Sequence, residues 1–473
     1  MTAAIAADVQ LYNSCGGEGV CRECKVIVRE GRVASELMER LTEEEREAGY
    51  RLACCTTVLD DVVIEVPPES RIEWEQILTD GTEAERGARA FGTVQEVSRG
   101  LELERRARTA PAPLVRKAFV RLSPPTIEDN ISDLQRLYRE VRRQHDTGEV
   151  GASLGTVRRL GRVLREGNWE VTVTLGEANS RTEILQIEPG DTTKRCFGVV
   201  VDVGTTTVVV SLVDLTTGEI LDTKATHNRQ IRYGQDVITR IIYAEKPDGL
   251  EALHKAVVDT INGLISSLVT GCGISLTDVV FCACGGNTTM THLLLRIDPY
   301  FLRRAPYVPM ASTIPVSRAV DAGIRINPRG WMACLPGVAS FVGGDITAGV
   351  LAAGIDEAEK PSLLIDLGTN GEIALGNREW LVCSSASAGP AFEGSGVRCG
   401  VRSVRGAVQG VTIDPESLST EIATIEDGAP VGLCGSGYIE LLSELLFSGL
   451  IDRQGALQPE RDRDRIREGP DGP

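Results

Sequence analysis

Histidine and aromatic side chains are scarce in this sequence of 473 residues. There are four histidines, and aromatic residues make up 4% of the chain. None of the histidines stands in the close pairs that many zinc and iron sites use. A metal site built on histidine is therefore not expected.

A positive net charge and long apolar runs are lacking as well. The formal net charge is -17 at pH 7, whereas a surface that binds phosphate needs a basic excess. No apolar run reaches the roughly 18–20 residues that span a bilayer, and the first residues lack the basic start and apolar core of a secretory signal. We therefore expect a cytoplasmic protein that binds neither nucleic acid nor a membrane.

Cysteine, in contrast, occurs thirteen times. An odd number of cysteines in a long chain indicates reduced thiols and a metal site rather than a disulfide framework. The length itself predicts two to four domains, each able to bury a core of its own.

Three of the cysteines lie close together near the start of the chain. The segment CGGEGVCREC contains Cys15, Cys21 and Cys24 on a glycine-rich loop, and Cys54 and Cys55 follow about thirty residues later. Three clustered thiolates with one distant partner favour an iron–sulfur cluster over a zinc site, which uses two close pairs, and over unligated thiols. Neighbouring residues of an extended segment point in opposite directions, so we expect only one of Cys54 and Cys55 to face the cluster.

This cysteine pattern resembles that of the [2Fe–2S] ferredoxins of the beta-grasp fold. The resemblance implies a [2Fe–2S] cluster and selects Cys54 as the fourth ligand, because the last ligand of those ferredoxins follows a Leu-Ala pair. It also implies two strands and a helix before the first cysteine, so we expect a truncated ferredoxin domain over residues 1–68. The segments KVIVREG (25–31) and DDVVIEVP (60–67) are predicted to be strands.

Two segments separate this domain from the rest of the chain. Residues 69–112 are rich in charge and end in TAPAP, which is typical of a linker. Residues 113–193 combine the strand-like VRKAFVRL and WEVTVTL with an amphipathic helix, on which Ile131, Leu134 and Leu137 share one face. We expect a small α+β middle domain, in which Trp169 and His145 have structural roles.

Two similar glycine-containing hairpins follow. In the first, an apolar strand ends at Asp202, and Gly204, Thr205, Thr206 and Thr207 precede a second apolar strand. Glycine lets backbone amides approach phosphate oxygens, threonine hydroxyls add donors, and an aspartate can hold a metal ion through water. LLIDLGTNGEIAL repeats the arrangement about 164 residues later, with the residues Asp366, Gly368, Thr369, Asn370 and Gly371.

Two other glycine-rich segments are predicted to begin helices that could contact the same ligand. FVGGDITAGV contains Gly343, Gly344 and Asp345. LCGSGYIELLSELL contains the residues Gly435, Ser436 and Gly437. Either segment alone could equally be an ordinary helix cap.

The paired hairpins resemble those of the actin, sugar-kinase and Hsp70 group. The resemblance implies a duplicated, ribonuclease H-like ATPase domain over residues 194–473, with ATP between the hairpins and Mg²⁺ near Asp202 and Asp366. LCGSGYIELLSELL looks like the adenosine-side motif of the group. The group's domain continues beyond residue 473, so we expect a C-terminal truncation.

Three further segments resemble the reductive activators of corrinoid proteins. They are NRQIRYGQDVITRI (228–241), GGNTTMTHLLL (285–295) and SAGPAFEG (387–394). The resemblance implies ATP-dependent reduction of Co(II) to Co(I) in a corrinoid protein of a methyltransferase system, with an upstream electron donor, and is compatible with a homodimer. With so few histidines and aromatics, the chain is not expected to bind cobalamin itself.

Three other functions stay open at this point. The chain could donate electrons, at the expense of ATP, to a different metalloenzyme. It could be a small-molecule kinase with a redox sensor, although no catalytic base or sugar pocket is evident. It could also be a nucleotide-gated scaffold without catalytic activity.

Overall fold

The structure is a computed structural model that describes residues 3–4, 7, 9, 11, 22, 24–67, 70, 113–145, 147–178, 181–368, 370–386, 399–401 and 405–461. The chain divides into two compact units, residues 1–364 with 374–384 and residues 365–373 with 385–473. The described helices include none that is long and apolar enough to cross a membrane.

The described part of the ferredoxin-like region is built from short strands. They are β1 (Lys25–Glu30), β2 (Val33–Ser35), β3 (Tyr50–Leu52), β4 (Thr56–Val58) and β5 (Val63–Glu65), with helix α1 (Glu43–Glu47) before β3. β1 pairs antiparallel with β3 on one side and with β5 on the other. β2 pairs with β4. Both predicted strands are present, but the second is shorter than the sequence suggests.

Residues 113–194 form a sheet covered by two helices. The elements are β6 (Val115–Arg121), α2 (Asp133–His145), β7 (Val150–Ala152), α3 (Leu154–Glu166), β8 (Glu170–Ala178) and β9 (Arg181–Pro189). The strand order is β6-β8-β9-β7, and the helices bury Leu137, Val141 and Leu164 against the sheet. α2 begins at Asp133, so the placement of Ile131 on the helical face was wrong.

The two residues to which structural roles were assigned here have structural contacts. Trp169 is buried, and the Arg165 guanidinium lies 5.3 Å from the centre of its ring. The His145 Nε2 atom is 3.0 Å from the Phe119 carbonyl oxygen.

The next region is a six-stranded sheet with the order β12-β11-β10-β13-β15-β14. Its strands are β10 (Phe197–Val203), β11 (Thr207–Asp214), β12 (Ile220–His227), β13 (Val279–Gly286), β14 (Ser317–Arg318) and β15 (Trp331–Cys334). Its helices are α4 (Val237–Ala244), α5 (Gly249–Gly271), α6 (Thr288–Leu294) and α7 (Gly344–Ala353). β10, β13 and β15 run parallel, whereas β11 and β12 form an antiparallel meander with β10.

That order is the ribonuclease H-like arrangement that the resemblance of the paired hairpins implies. Alternation along β10 buries Val199, Val201 and Val203 and leaves Val200 and Asp202 exposed. The buried valines pack in one core with apolar residues of α5, which backs the sheet. Because β10, β13 and β15 are parallel, the loops that follow them meet at one edge, where α/β folds bind ligands.

The chain continues through two smaller sheets. Their strands are β16 (Ser362–Leu367), β17 (Gly371–Gly376), β18 (Leu381–Ala386), β19 (Ala407–Ile413), β20 (Thr420–Thr424) and β21 (Gly432–Leu433), followed by helix α8 (Gly435–Phe447). The strand orders are β16-β17-β18 and β20-β19-β21. Both predicted glycine-rich segments, at 341–350 and 433–446, do begin helices.

Candidate functional site

Three cysteine sulfurs lie together beside β1. Cys24 directly precedes this strand, and Cys54 and Cys55 lie in a single 3-10 turn that follows β3. The Sγ atoms of Cys24 and Cys54 are 3.2 Å apart, and those of Cys54 and Cys55 are 3.4 Å apart. The Ala53 amide donates to the Cys24 carbonyl oxygen at 2.9 Å and joins the turn to the loop. We call these three cysteines the thiol corner.

The expectation that Cys54 and Cys55 point in opposite directions was wrong. It assumed an extended backbone, whereas Ala53–Cys55 form a 3-10 turn. Successive side chains in a 3-10 helix are only about 120° apart around the axis. Both sulfurs can therefore lie on one side of the turn.

Cys24 and Cys54 fit a pair of cluster ligands. Two sulfurs bound at about 2.3 Å to one tetrahedral metal ion lie about 3.8 Å apart, close to the separation of this pair. The hydrogen bond with Cys54 lowers the pKa of Cys24 to about 7 and raises the pKa of Cys54. Cys24 is fully buried among apolar residues that include Val26, Leu41 and Leu52.

The other two predicted ligands, Cys15 and Cys21, lie outside the described residues. Within the described residues, no group of three or more His, Cys, Asp or Glu is arranged to hold a metal ion. All eleven cysteines that the structure describes are free thiols. The four-cysteine ligand set stays a prediction.

Glu45 of α1 contacts the residues on either side of Cys24. Its carboxylate pairs with Arg22 at 3.0 Å and with Lys25, and it accepts from the Thr42 amide at 2.9 Å in a capping box. Partial burial opposes ionisation, but the bonds from Lys25 and Thr42 prevail and lower the pKa of Glu45 to about 2. Arg22 and Lys25 lie on either side of Cys24, so this carboxylate ties the chain on both sides of Cys24 to the start of α1.

The first hairpin, formed by β10, residues 204–206 and β11, holds its carbonyl groups inward. The Gly204 oxygen accepts from Asn228 Nδ2 at 2.9 Å, and the Thr206 oxygen accepts from the Asn228 amide at 2.8 Å. The Thr205 oxygen accepts from Arg240 Nη2 at 2.5 Å. The C=O and N–H of a trans peptide point in opposite directions. The amides of Thr205 and Thr206 therefore point outward, as an anion-binding loop requires.

Arg240 is the centre of the network behind this hairpin. It is fully buried and also donates to the Gly234 oxygen at 2.8 Å and to Gln230 Oε1 at 3.2 Å. All these acceptors are neutral, and burial lowers the pKa of Arg240 to about 9, so its side chain is still charged at neutral pH. The planar fork of arginine suits three acceptors in different directions.

The loops after β13 and β15 adjoin the same hairpin. Asn287, the N-cap of α6, donates from Nδ2 to Thr205 Oγ1 at 3.1 Å. A Cβ on Gly343 would lie 2.4 Å from the Asn287 Cα, and a Cβ on Gly344 would lie 2.7 Å from the Leu335 oxygen. These two glycines therefore let the start of α7, which includes Asp345, approach the loops after β13 and β15 closely.

Asp202 lies one residue before the end of β10, on the exposed face of the strand. Its Cα neighbours across the sheet are Val209 and Gly285. The side chain is thus near the carboxyl edge of the parallel strands, where the predicted metal site would form. Its role as a metal ligand stays a prediction.

The second hairpin is formed by β16 and β17. Residues 365–373 of this hairpin, which include Asp366, are assigned to the second unit, and the outer parts of both strands are assigned to the first. Asp366 is exposed, and the Gly368 amide donates to the Asn370 oxygen at 3.0 Å in the turn, while Thr369 lies outside the described residues. A shared nucleotide site for both hairpins stays a prediction.

The start of α8 packs tightly on β19. A Cβ on Gly437 would lie 2.0 Å from the Val408 oxygen, so glycine is needed for this close contact. Cys434 is the N-cap, and its Sγ lies 3.3 Å from the exposed Ser436 Oγ. Gly435 and Gly437 are buried, and their predicted contact with a nucleotide stays a prediction.

Sequence analysis missed the residues behind the first hairpin. Asn228, Gln230 and Arg240 lie within NRQIRYGQDVITRI, which we connected with a family but not with the hairpin. The signal was present, since this segment is rich in polar residues that become fully buried. His292 of GGNTTMTHLLL is also buried, with Nδ1 2.7 Å from the Thr288 oxygen and Nε2 accepting from the Met310 amide at 3.2 Å.

Comparison with known proteins assigns each region. Residues 1–59 match the family model of the 2Fe-2S iron-sulfur cluster binding domain, and residues 104–194 match the RACo linker region. Residues 197–358 match the RACo middle region, and residues 360–473 match the C-terminal domain of RACo, the ASKHA domain. The segment that we treat as a middle domain, 113–193, thus coincides with the RACo linker region.

A solved structure covers the whole chain. It is a reductive activator for corrinoid, iron-sulfur protein, with 40% sequence identity and a TM-score of 0.67 over 100% of this chain and 73% of its own. The chain belongs to the RACo family.

Two curated relatives of this RACo-family chain are longer proteins than the chain itself. The corrinoid activation enzyme RamQ of Eubacterium limosum is 36% identical over 263 residues, 55% of this chain and 44% of RamQ. The [Co(II) methylated amine-specific corrinoid protein] reductase of Methanosarcina barkeri is 25% identical over 291 residues, 54% of this chain and 52% of the reductase. The chain spans about half the length of the curated relatives it matches.

Proposed function

We propose that this chain is an ATP-dependent reductive activator that returns the cobalt of a corrinoid protein from Co(II) to Co(I). One observation carries the proposal. A single chain joins a thiol pair, of which Cys24 is buried and Cys54 is half-buried, to a hairpin with outward amides at the edge of a ribonuclease H-like sheet. The thiol pair lies within a segment that matches a 2Fe-2S domain. The names of the two curated relatives, a corrinoid activation enzyme and a Co(II) corrinoid protein reductase, support it.

Cys15, Cys21, Cys24 and Cys54 would hold the [2Fe–2S] cluster. When bound, a cluster with this ligation supplies a one-electron carrier near about -400 mV. Glu45 would keep the cysteine loop in place through Arg22 and Lys25, and the apolar surroundings of Cys24 would exclude water. One electron from an upstream donor would pass by this route to Co(II), and Co(I) would be the product.

The first hairpin would bind the phosphates of ATP through the amides of Thr205 and Thr206. Asp202 and Asp366 would hold Mg²⁺ through water. Because one-electron transfer across 59 mV corresponds to about 1.4 kcal/mol, a gap of a few hundred millivolts is within the reach of nucleotide binding energy. We expect ATP to change the conformation presented to the corrinoid protein rather than to phosphorylate a substrate.

The proposal is tested by following Co(I) absorbance after mixing the anaerobically reconstituted protein with a chemical reductant and a Co(II) corrinoid protein of a methyltransferase system. We expect rapid Co(I) formation only with ATP. Cys24→Ala should abolish it, and Gly204→Val should reduce it to the rate without ATP, because a Cβ at 204 would lie 2.6 Å from the Thr207 oxygen. Cys383→Ala, which changes an exposed thiol, is the matched control. Equal rates with and without ATP, or an active Cys24→Ala protein, would contradict the proposal.

A further inference from the structure

Asn287 contacts the first hairpin through its side chain. Its Oδ1 atom accepts from the Met290 amide at 2.9 Å and caps α6, and its Nδ2 atom donates to Thr205 Oγ1 at 3.1 Å. Because a backbone N–H group can only donate, the oxygen of the Asn287 amide must face Met290, and its NH2 group must face Thr205. The cap of α6 therefore fixes the direction of the bond to the hairpin.

The side chain of Thr205 points into the protein. Thr205 is 8% exposed, whereas the neighbouring Gly204 and Thr206 are half-buried. Its hydroxyl oxygen accepts from Asn287, and its carbonyl oxygen accepts from Arg240. Two donors, one at the start of α6 and one in α4, thus hold the side chain and the main chain of this one residue.

Packing against the loop after β15 restrains the position of Asn287. A Cβ on Gly343 would lie 2.4 Å from the Asn287 Cα, so the start of α7 is in close contact with this residue. The next residue, Thr288, donates from Oγ1 to the Ala339 oxygen at 2.5 Å. The donor to Thr205 is therefore held in place by the loops after β13 and β15.

We infer that Asn287 is a positioning residue of the ATP site, which acts through the buried hydroxyl of Thr205. The inference rests on the proposed function, in which the amides of Thr205 and Thr206 bind phosphate. A loop that is already anchored in the conformation that the ligand requires loses less conformational entropy on binding. In this account the Thr205 hydroxyl is an anchor of the loop rather than a donor to phosphate.

A double-mutant cycle on the full chain tests the inference, with ATP affinity measured by isothermal titration calorimetry in the presence of Mg²⁺. Asn287→Ser keeps an oxygen that can cap α6 but lacks the donor to Thr205. Thr205→Val keeps the shape of the side chain but lacks the hydroxyl. Each single variant should bind ATP about 3- to 10-fold more weakly, the range that one net hydrogen bond supplies. The double variant should bind no more weakly than the weaker single variant.

Two further variants separate positioning from stability. Thr205→Ser keeps the hydroxyl and should bind ATP as wild type does. Ser153→Ala removes the N-cap of α3, which belongs to the sheet of residues 113–194. It should lower the melting temperature without changing ATP affinity.

Losses that multiply in the double variant would overturn the inference, because the two side chains would then act independently. A Thr205→Ser protein as weak as Thr205→Val would overturn it as well. In both cases the proposed function stands as long as the wild type binds ATP, whereas a wild type that binds no ATP would overturn both. If Asn287→Ser does not fold, Asn287→Gly takes its place in the cycle, because glycine is also accepted at an N-cap.

Discussion

Replacing Arg240 with methionine should loosen the first hairpin while leaving the rest of the chain folded. The guanidinium donates to the carbonyl oxygens of Thr205 and Gly234 and to the side chain of Gln230. Methionine fills similar space but leaves these three buried acceptors without that donor. Each such loss costs about 1–3 kcal/mol, and removal of a buried charge returns part of it. We expect a net destabilisation of about 2–4 kcal/mol.

The affinity of the Arg240→Met protein for ATP should fall together with its stability. The Thr205 peptide is held by Arg240, and the amide of Thr206 belongs to the same peptide unit. If about 1.5–3 kcal/mol of the lost energy must be recovered on binding to order the hairpin, ATP binds about 10- to 100-fold more weakly. Isothermal titration calorimetry gives the affinity, and urea unfolding followed by circular dichroism gives the stability.

The matched control is Arg229→Met, which removes an exposed arginine from the same segment. It should change neither quantity measurably. Arg240→Lys should be intermediate, since an ammonium group keeps the charge but cannot reproduce the planar fork. If Arg240→Met binds ATP as tightly as Arg229→Met does, the hairpin does not depend on Arg240 and the reasoning fails.

Three other predictions address separate parts of the molecule. Glu45→Gln should lower the unfolding free energy of the apo ferredoxin-like region by about 3 kcal/mol at most, and by about 1–2 kcal/mol after solvent screening. Because the pKa of Glu45 in the folded protein is about 2, the difference in unfolding free energy from wild type should be complete above about pH 4.5 and should disappear as the pH falls toward 2. A difference that does not change with pH would refute the ion-pair explanation. Gly437→Ala should destabilise the start of α8, since its Cβ would lie 2.0 Å from a backbone oxygen, whereas Gly263→Ala, in the open interior of α5, should be neutral or stabilising in thermal unfolding. Asp202→Asn should weaken Mg²⁺-dependent ATP binding with little change in melting temperature, because the side chain is exposed; unchanged metal dependence in calorimetry would argue against a role in holding the ion.

Local patterns were enough to predict the strands that carry the first hairpin. Alternating valines on each side of Asp202 and Gly204 specify a two-stranded unit with one buried face, and β10 and β11 are present with that alternation. The helices α7 and α8 were also predicted, because in each segment a glycine-containing turn is followed by an apolar run.

Long-range contacts could not be predicted from these patterns. Arg240 reaches Thr205, 35 residues earlier in the sequence, through a fully buried network. A sequence shows that an arginine is present but not that folding removes it from water. Burial of a charge depends on the acceptors that the tertiary structure brings to it.

The prediction that Cys54 and Cys55 point in opposite directions failed for a different reason. Adjacent residues alternate only if the backbone is extended, and a single 3-10 turn of three residues changes that rule. Such short turns have little sequence signal of their own. The resemblance to ferredoxins selected Cys54, but only the structure shows that the Cys55 sulfur lies 3.4 Å from that of Cys54.

The central claim, that the thiol corner and the first hairpin serve one ATP-dependent electron transfer, is tested most directly by a single turnover. The protein is reduced, freed of excess reductant and mixed anaerobically with a Co(II) corrinoid protein, and Co(I) absorbance and cluster oxidation are followed together. The account predicts that ATP starts both changes at the same rate, with one Co(I) formed per cluster oxidised. Cluster oxidation without Co(I), or Co(I) formation that is equally fast without ATP, would contradict it.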